Sequence, residues 1–256
     1  MSQAVFGAGI MWGTQLQDST GAAVANATPI MIGILQNVSV DISFETKELH
    51  GSDSQFAKYV GRGKGKIDCK ASMGTIKGAI FNSLFFGQGQ TSGINSVVYD
   101  TVGAAIPATP YQITVTPPSS GTFQTDLGVV YQATGLPLTK VASAPTTGQY
   151  SVSNAGIYTF AAADTLLVVY INYSYTATST TAVKNTVKNI PMGYSPSFST
   201  ELYMPYDGKS LVLTLNKCIS NKLSISTKLD DFMMPELDFS AFADSAGNVM
   251  SWATTE

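Results

Sequence analysis

Residues 34–45 alternate without interruption. Ile34, Gln36, Val38, Val40, Ile42 and Phe44 fall on one side, and Leu35, Asn37, Ser39, Asp41, Ser43 and Glu45 on the other. Successive strand side chains point to opposite faces, so this period of two predicts a strand with one face in a core and one in water. A second alternation runs from Lys64 to Met73, where Ile67, Cys69, Ala71 and Met73 oppose Lys66, Asp68, Lys70 and Ser72. These two segments constrain the fold more than any other feature.

The rest of the chain reads mostly as strand. Residues 1–30 are a glycine-rich N-terminal arm. Residues 47–63 break the alternation with glycine and polar residues, which predicts a long loop. In TIKGAIFNSLFFG, Ile76, Ala79, Ile80, Ser83 and Leu84 recur at helical spacing and Gly87 can end the helix. This helix is expected to cover a sheet face or an edge. YQITV, DLGVVY, QYSVS, IYTFA and TLLVVYINYSYTA follow, separated by turn-forming segments, with Asn154–Ala155–Gly156 as a tight hairpin signal. SFSTELYM, SLVLTLNKC, KLSISTK and PELDFSAFAD close the chain, with Asp207–Gly208 as a second hairpin signal. The expected class is all-β with antiparallel pairing.

Charge divides the sequence. Residues 91–183 hold one basic residue, Lys140, and three acidic ones, Asp100, Asp126 and Asp164, out of 14 and 17 in the whole chain. The shift suggests a β-rich insertion at 91–183 between two framework halves, 31–90 and 184–256. Across the chain 44% of residues are hydrophobic and only 12% charged, about half the ~25% usual for soluble domains. So few charges suit a subunit whose outside becomes interface, and composition alone suits an ordinary secreted β-sandwich equally well.

Several chemistries are disfavoured. The net charge is −3, and Arg62 is the one arginine; bidentate phosphate and base contacts favour arginine, so a DNA-gripping protein is not expected. His50 is the one histidine and has no cysteine nearby, which argues against a zinc site or a Ser–His pair. The run Gly61–Arg62–Gly63–Lys64–Gly65–Lys66 lacks phosphate-loop spacing and leads into a strand rather than a helix. Among paired carboxylates, Asp230 and Asp231 would point to opposite strand faces, while Glu236 and Asp238 share one that a wet sheet commonly carries. No enzymatic activity, cofactor or metal is expected. Cys69 and Cys218 are two cysteines, too few for a disulfide framework, and are expected to be reduced and half-buried. The first basic residue is Lys47, so a secretory signal is not expected; nor does any apolar run reach the ~18 residues of a membrane span.

Three stretches together resemble the tail tube (major tail) proteins of long-tailed bacteriophages. In residues 35–87, Lys47–Glu48–Leu49, Gly61 to Lys66, and Phe85–Phe86–Gly87 fill the places of a strand-loop-strand-helix pattern, with His50 where an aromatic is commoner. In residues 192–249, a hairpin and a lysine-bearing strand precede DFMMPELDF and AFADSAG. Residues 111–178, with GQYSVS and YTF, resemble an insertion seen in some such proteins. The resemblance covers roughly three quarters of the chain and rests on the order of the motifs.

The resemblance implies a β-sandwich or split-barrel subunit with one flanking helix. Such subunits assemble as hexameric rings that stack into the virion tail tube, the conduit for genome ejection, after synthesis in the host cytoplasm. The implied partners are copies of the chain itself, a tape measure protein, a baseplate or tail tip, a tail terminator and, in a contractile tail, a sheath. Double-stranded DNA would pass through the lumen without specific binding. In that frame Asn37, Ser39, Asp41, Ser43 and Glu45 are expected to face the lumen. Lys47, Glu48, His50, Asp53, Lys58 and Arg62 are expected in a ring-stacking loop, and the insertion is expected to face outward. The competing reading is a carbohydrate-binding or adhesive β-sandwich of a tail tip or capsid decoration protein, because Tyr111, Tyr131, Tyr150, Tyr158, Tyr170, Tyr173 and Tyr175 concentrate in the insertion.

Overall fold

A computed structural model of the chain describes residues 6–53, 55–75 and 77–255. Its strands begin with β1 (Ile10–Gln17), β2 (Ile30–Met31), β3 (Leu35–His50) and β4 (Ala57–Met73), followed by a short helix, Ile80–Phe85. Next come β5 (Thr91–Ser92), β6 (Ile94–Val98), β7 (Ala104–Ala105), β8 (Gln112–Thr114), β9 (Thr122–Tyr131), β10 (Thr139–Lys140), β11 (Gln149–Val152), β12 (Ile157–Phe160), β13 (Val168–Ala177) and β14 (Val183–Lys184). The chain closes with β15 (Ser197–Tyr206), β16 (Lys209–Ser224), β17 (Glu236–Ala241) and β18 (Met250–Thr254). The protein is all-β, and its ladders are antiparallel except for the short β10–β11 pair. It divides into two compact units, 1–90 with 185–256, and 91–184.

The first unit is one sheet in the order β2-β1-β15-β16-β17-β4-β3, with β18 also on β16. Its two terminal strands, β2 and β3, are consecutive in the chain, so the sheet curls back on itself. Residues 32–34 bridge them: Ile32 N–H donates to Met11 O (2.7 Å) and Gly74 N–H to Ile34 O (2.7 Å). Inside lie Met11, Ile32, Leu35, Cys69, Met73, Phe198, Leu237 and Phe239, with Ile80 and Leu84 of the helix. The helix lies against β1 at Gly13, where any β-carbon would meet Leu84 Cδ1 at 2.5 Å. The expected arm over 1–30 is thus in part a sheet strand: β1 pairs with both β15 and β2, and Met11 is buried.

Local chemistry explains most elements. Asp207 and Gly208, both at positive φ, form the two-residue turn between β15 and β16, closed by Tyr206 opposite Lys209. That is the hairpin geometry whose twist matches the flanking strands. The segments SLVLTLNKC and KLSISTK are not separate strands. Both contribute to β16, and the register slip between Ser220 and Lys222 inserts an extra residue that shifts the alternation. A similar slip between Leu35 and Asn37 turns Leu35 into the core and leaves Ile34 exposed, reversing the faces expected for these two residues. The helix is shorter than the apolar spacing predicts, and Ile76 lies outside the described residues. Its ladder widens so that Phe86 N–H reaches Phe81 O, five residues back. Gly87 follows at φ +62. The expected loop over 47–63 is mostly strand: β3 and β4 stay paired out to His50 opposite Ala57.

The second unit is a sandwich. One sheet is β10-β11-β12-β8; the other is β6-β13-β7 with β9 also on β13. Residues 153–156 turn β11 into β12, with Ser153 N–H bonded to Ile157 O (3.0 Å). Tyr150, Tyr158 and Phe160 from one sheet meet Phe123, Val169, Ile171, Tyr173 and Tyr175 from the other. Asp126 is held within this aromatic core. It accepts bonds from Tyr150 Oη (2.8 Å), Tyr158 Oη (3.0 Å) and Gly128 N (3.1 Å) and pairs with Lys140 Nζ at 3.1 Å.

Candidate assembly surfaces

Three features of the first unit lack partners among the described residues of that unit: a face, an edge and a ribbon. The face belongs to β3, β4 and β17. Asn37, Ser39, Asp41, Ser43 and Glu45 all point from it, and Asn37, Asp41, Ser43 and Glu45 are exposed. Neighbouring positions continue it: Ser39 lies opposite Lys70 and then Asp238, and Asp41 opposite Asp68 and then Ser240. The lysines here are already paired, Lys66 with Asp68 at 2.7 Å and Lys70 with Glu236 at 2.8 Å. Lys66 Nζ and the hydroxyl of Ser240 hold the Asp68 carboxyl below its ordinary pKa. Asp41 and Glu45 have no cation within ion-pair distance among the described residues, so the rim of β3 is locally acidic.

The edge is β3 itself. It pairs with β4 alone, leaving the backbone groups on its other side without strand partners along the whole element. Long free edges invite further strand pairing, which proteins usually block by charge, bulge or cover. Here three register slips and alternating charges interrupt β3, and among the described residues of this unit no strand pairs with its outer side.

The ribbon is the outer part of β3 and β4. β17 pairs with β4 over residues 67–72 only, so beyond Ile67 the hairpin continues as two strands. Neither of its faces is buried, which is why its sequence shows no alternation. Lys47, Glu48, His50, Lys58 and Arg62 lie on its strands and Asp53 in its connecting turn. His50 Nε2 lies 3.5 Å from Glu48. Its apolar side chains stay open to solvent: Leu49 is 62% exposed, Tyr59 71% and Phe56 84%. The glycine-lysine run 61–66 lies inside β4 rather than in a flexible approach to it.

Other candidate residues take ordinary structural places. Cys69 and Cys218 are fully rather than half buried, as free thiols in one core. Burial pushes both thiols up to about 12. Asp231 pairs with Lys228 at 3.3 Å. Tyr150, Tyr158, Tyr173 and Tyr175 are core residues, so the tyrosine richness of the insertion serves packing more than surface recognition. No helix among the described residues is long and apolar enough to cross a membrane. The chain matches no known protein family and no curated protein.

Proposed function

We propose that this protein is a structural subunit of a bacteriophage tail tube, without enzymatic activity, that closes into rings, most simply hexameric, which stack into a conduit for the genome. The observation that carries the reading is the ribbon Thr46–Arg62 with the open β3 edge behind it: two strands exposed on both faces, bearing uncovered apolar side chains. A monomer gains nothing from such an element, since an isolated two-stranded ribbon is marginal in water. In an assembly the edge takes a neighbouring strand and the ribbon a neighbouring ring. The acidic, hydroxyl-bearing face of β3 then suits the channel wall, where Asp41 and Glu45 stay hydrated and repel duplex phosphates. Partners follow from that place in the virion tail: further copies, a tape measure protein, a terminator, a baseplate or tip and, in a contractile tail, a sheath.

Negative-stain microscopy of the purified protein at rising concentration tests the reading. Rings or tubes with a central hole are expected. A protein that stays monomeric at every concentration, by sedimentation as well as by imaging, overturns it.

A further inference from the structure

Where the ribbon leaves the sheet, the structure forks. β17 ends at Ala241, opposite Ile67, and β18 begins at Met250 on the same side of β16. Between the departing ribbon and β18 lies a cavity of about 500 Å³ lined chiefly by Ile42, Phe44, Ile67, Phe242, Val249 and Met250. Its walls carry unpaired backbone as well. Among the described residues β18 pairs with β16 alone, and residues 57–66 of β4 with β3 alone.

We infer that this cleft at the ribbon root receives the ribbon tip of a second copy of the chain. The inference rests on the ring-stacking reading above and gives the stacking contact its residues. Chemistry matches first: the cleft is apolar, and the tip carries the exposed cross-strand pair Leu49–Tyr59 with Val60 and Phe56 beside it. Charge matches next. Lys217, whose ammonium lies 5.2 Å from the centre of the ring of the lining residue Phe242, has no carboxylate within ion-pair distance among the described residues. Glu48 and Asp53 at the tip likewise have no lysine or arginine partner there.

Distance then excludes self-occupation. The root pair Phe44–Gly65 and the tip pair His50–Ala57 are separated along β3 by residues 44–50, which at ~3.3 Å per residue is roughly 20 Å of extended ribbon. A tip so far from its own root cannot fold back into it, so another molecule must fill the cleft. Each copy has one tip and one cleft on different surfaces. The contact is therefore heterologous, and it propagates from copy to copy instead of closing on a pair.

Engineered disulfides test this. Chains carrying Tyr59→Cys are mixed with chains carrying Met250→Cys and assembled under mild oxidation; the native thiols, both buried, give a low background. A cross-linked dimer in the mixture, absent from either variant alone, is expected, as is a ladder from the chain carrying both substitutions. Tubes that form normally with no cross-link overturn the cleft assignment while leaving the tube reading intact. Failure of the unmodified chain to form rings or stacks removes the tube reading itself, and the inference with it. If the cysteine variants do not assemble, hydrogen exchange on unmodified tubes decides: slowed exchange at 57–66 and 250–254 supports the contact, and unchanged exchange overturns it. Dye release from phosphatidylcholine vesicles that Tyr59→Glu abolishes would assign the ribbon to lipid and also overturn the inference.

Discussion

The guanidinium carbon of Arg62 sits 4.3 Å from the centre of the Phe44 ring, so the one arginine of the chain is stacked across the root of the ribbon. Both residues are exposed, and Phe44 lies opposite Gly65, where a β-carbon would come within 2.8 Å of the ring. The glycine lets the ring lie flat over β4, and the arginine covers it. Arg62→Ala should loosen the ribbon while leaving the sheet intact, since exposed cation–π contacts are worth about 0.5–1 kcal/mol. Hydrogen exchange should quicken at 46–62 and stay unchanged at 67–73. Equal effects in both segments would show that the stack supports the whole fold rather than the ribbon.

In the second unit Asp126 gives stability a direction with pH. Burial raises its pKa, but bonds from Tyr150, Gly128, Lys140 and Tyr158 outweigh that and hold it below the ordinary carboxylate value. A depressed folded-state pKa contributes stability above the unfolded value of about 3.9 and loses it as pH falls through the folded value. The unit should therefore keep this contribution at neutral pH and lose it only below about pH 4. Asp126→Ala, which leaves the buried hydroxyls of Tyr150 and Tyr158 without their acceptor, should cost roughly 3 kcal/mol at pH 7 and flatten the acid dependence. Chemical unfolding followed by tyrosine fluorescence between neutral and acid pH checks both.

Gly87 ends the helix at φ +62, where a β-carbon would meet Pro196 Cβ at 2.5 Å and Ser19 N at 2.7 Å. Its carbonyl also accepts a bond from Ser19 N–H (3.0 Å). Gly87→Ala meets both a left-handed backbone and fixed main chain, and the two should cost about 2–4 kcal/mol together. A thermal unfolding midpoint within error of the unmodified protein would refute that account. Gly193, also at positive φ but with open space around it, is the control: Gly193→Ala should cost less.

Asp41 lies directly across from Asp68 in the β3–β4 ladder. Like charges directly opposite destabilise a sheet, so Asp41→Lys should raise stability by up to about 0.5–1 kcal/mol, in a manner salt weakens. In the tube reading, Asp41→Lys with Glu45→Lys should permit assembly but slow genome release from virions. Release at the normal rate across a range of salt would sink the lumen assignment or its electrostatic rationale.

The sequence showed its elements wherever one side of a strand meets a core. The alternations at 38–41 and 67–73 placed β3 and β4 because Val38, Val40, Cys69 and Ala71 need burial that Ser39, Lys70 and Asp68 do not, whereas Ile42 and Phe44, expected on the core side, are exposed because β17 stops at Ile67 and no sheet continues beneath them. Asp207–Gly208 and residues 153–156 were legible because few residues accept those turn geometries. The outer ribbon was not, since with both faces wet no period is imposed and glycine and lysine mimic a loop. The slips at Gln36 and Asn221 were hidden for a related reason: a bulge exchanges the faces without changing composition. β1 escaped because its inward positions are Met11, Gly13 and Gln15, and a glycine admitting Leu84 reads as flexibility. The apolar cleft had no local signal at all, because Phe44, Phe242 and Met250 meet only through the fold.

The second unit begins and ends on paired strands, with Thr91 opposite Lys184 and Ser92 opposite Val183. To the framework, everything between Gln90 and Asn185 is equivalent to one tight connection, because its two ends are held about one strand spacing, ~4.8 Å, apart. The loop-closure entropy of that long excursion is absorbed by the insertion's own fold rather than by the sheet that carries it. The junction is thus a natural graft point. A foreign domain with adjacent termini could replace residues 93–182 between these two short strands, and every copy in an assembly would then display one.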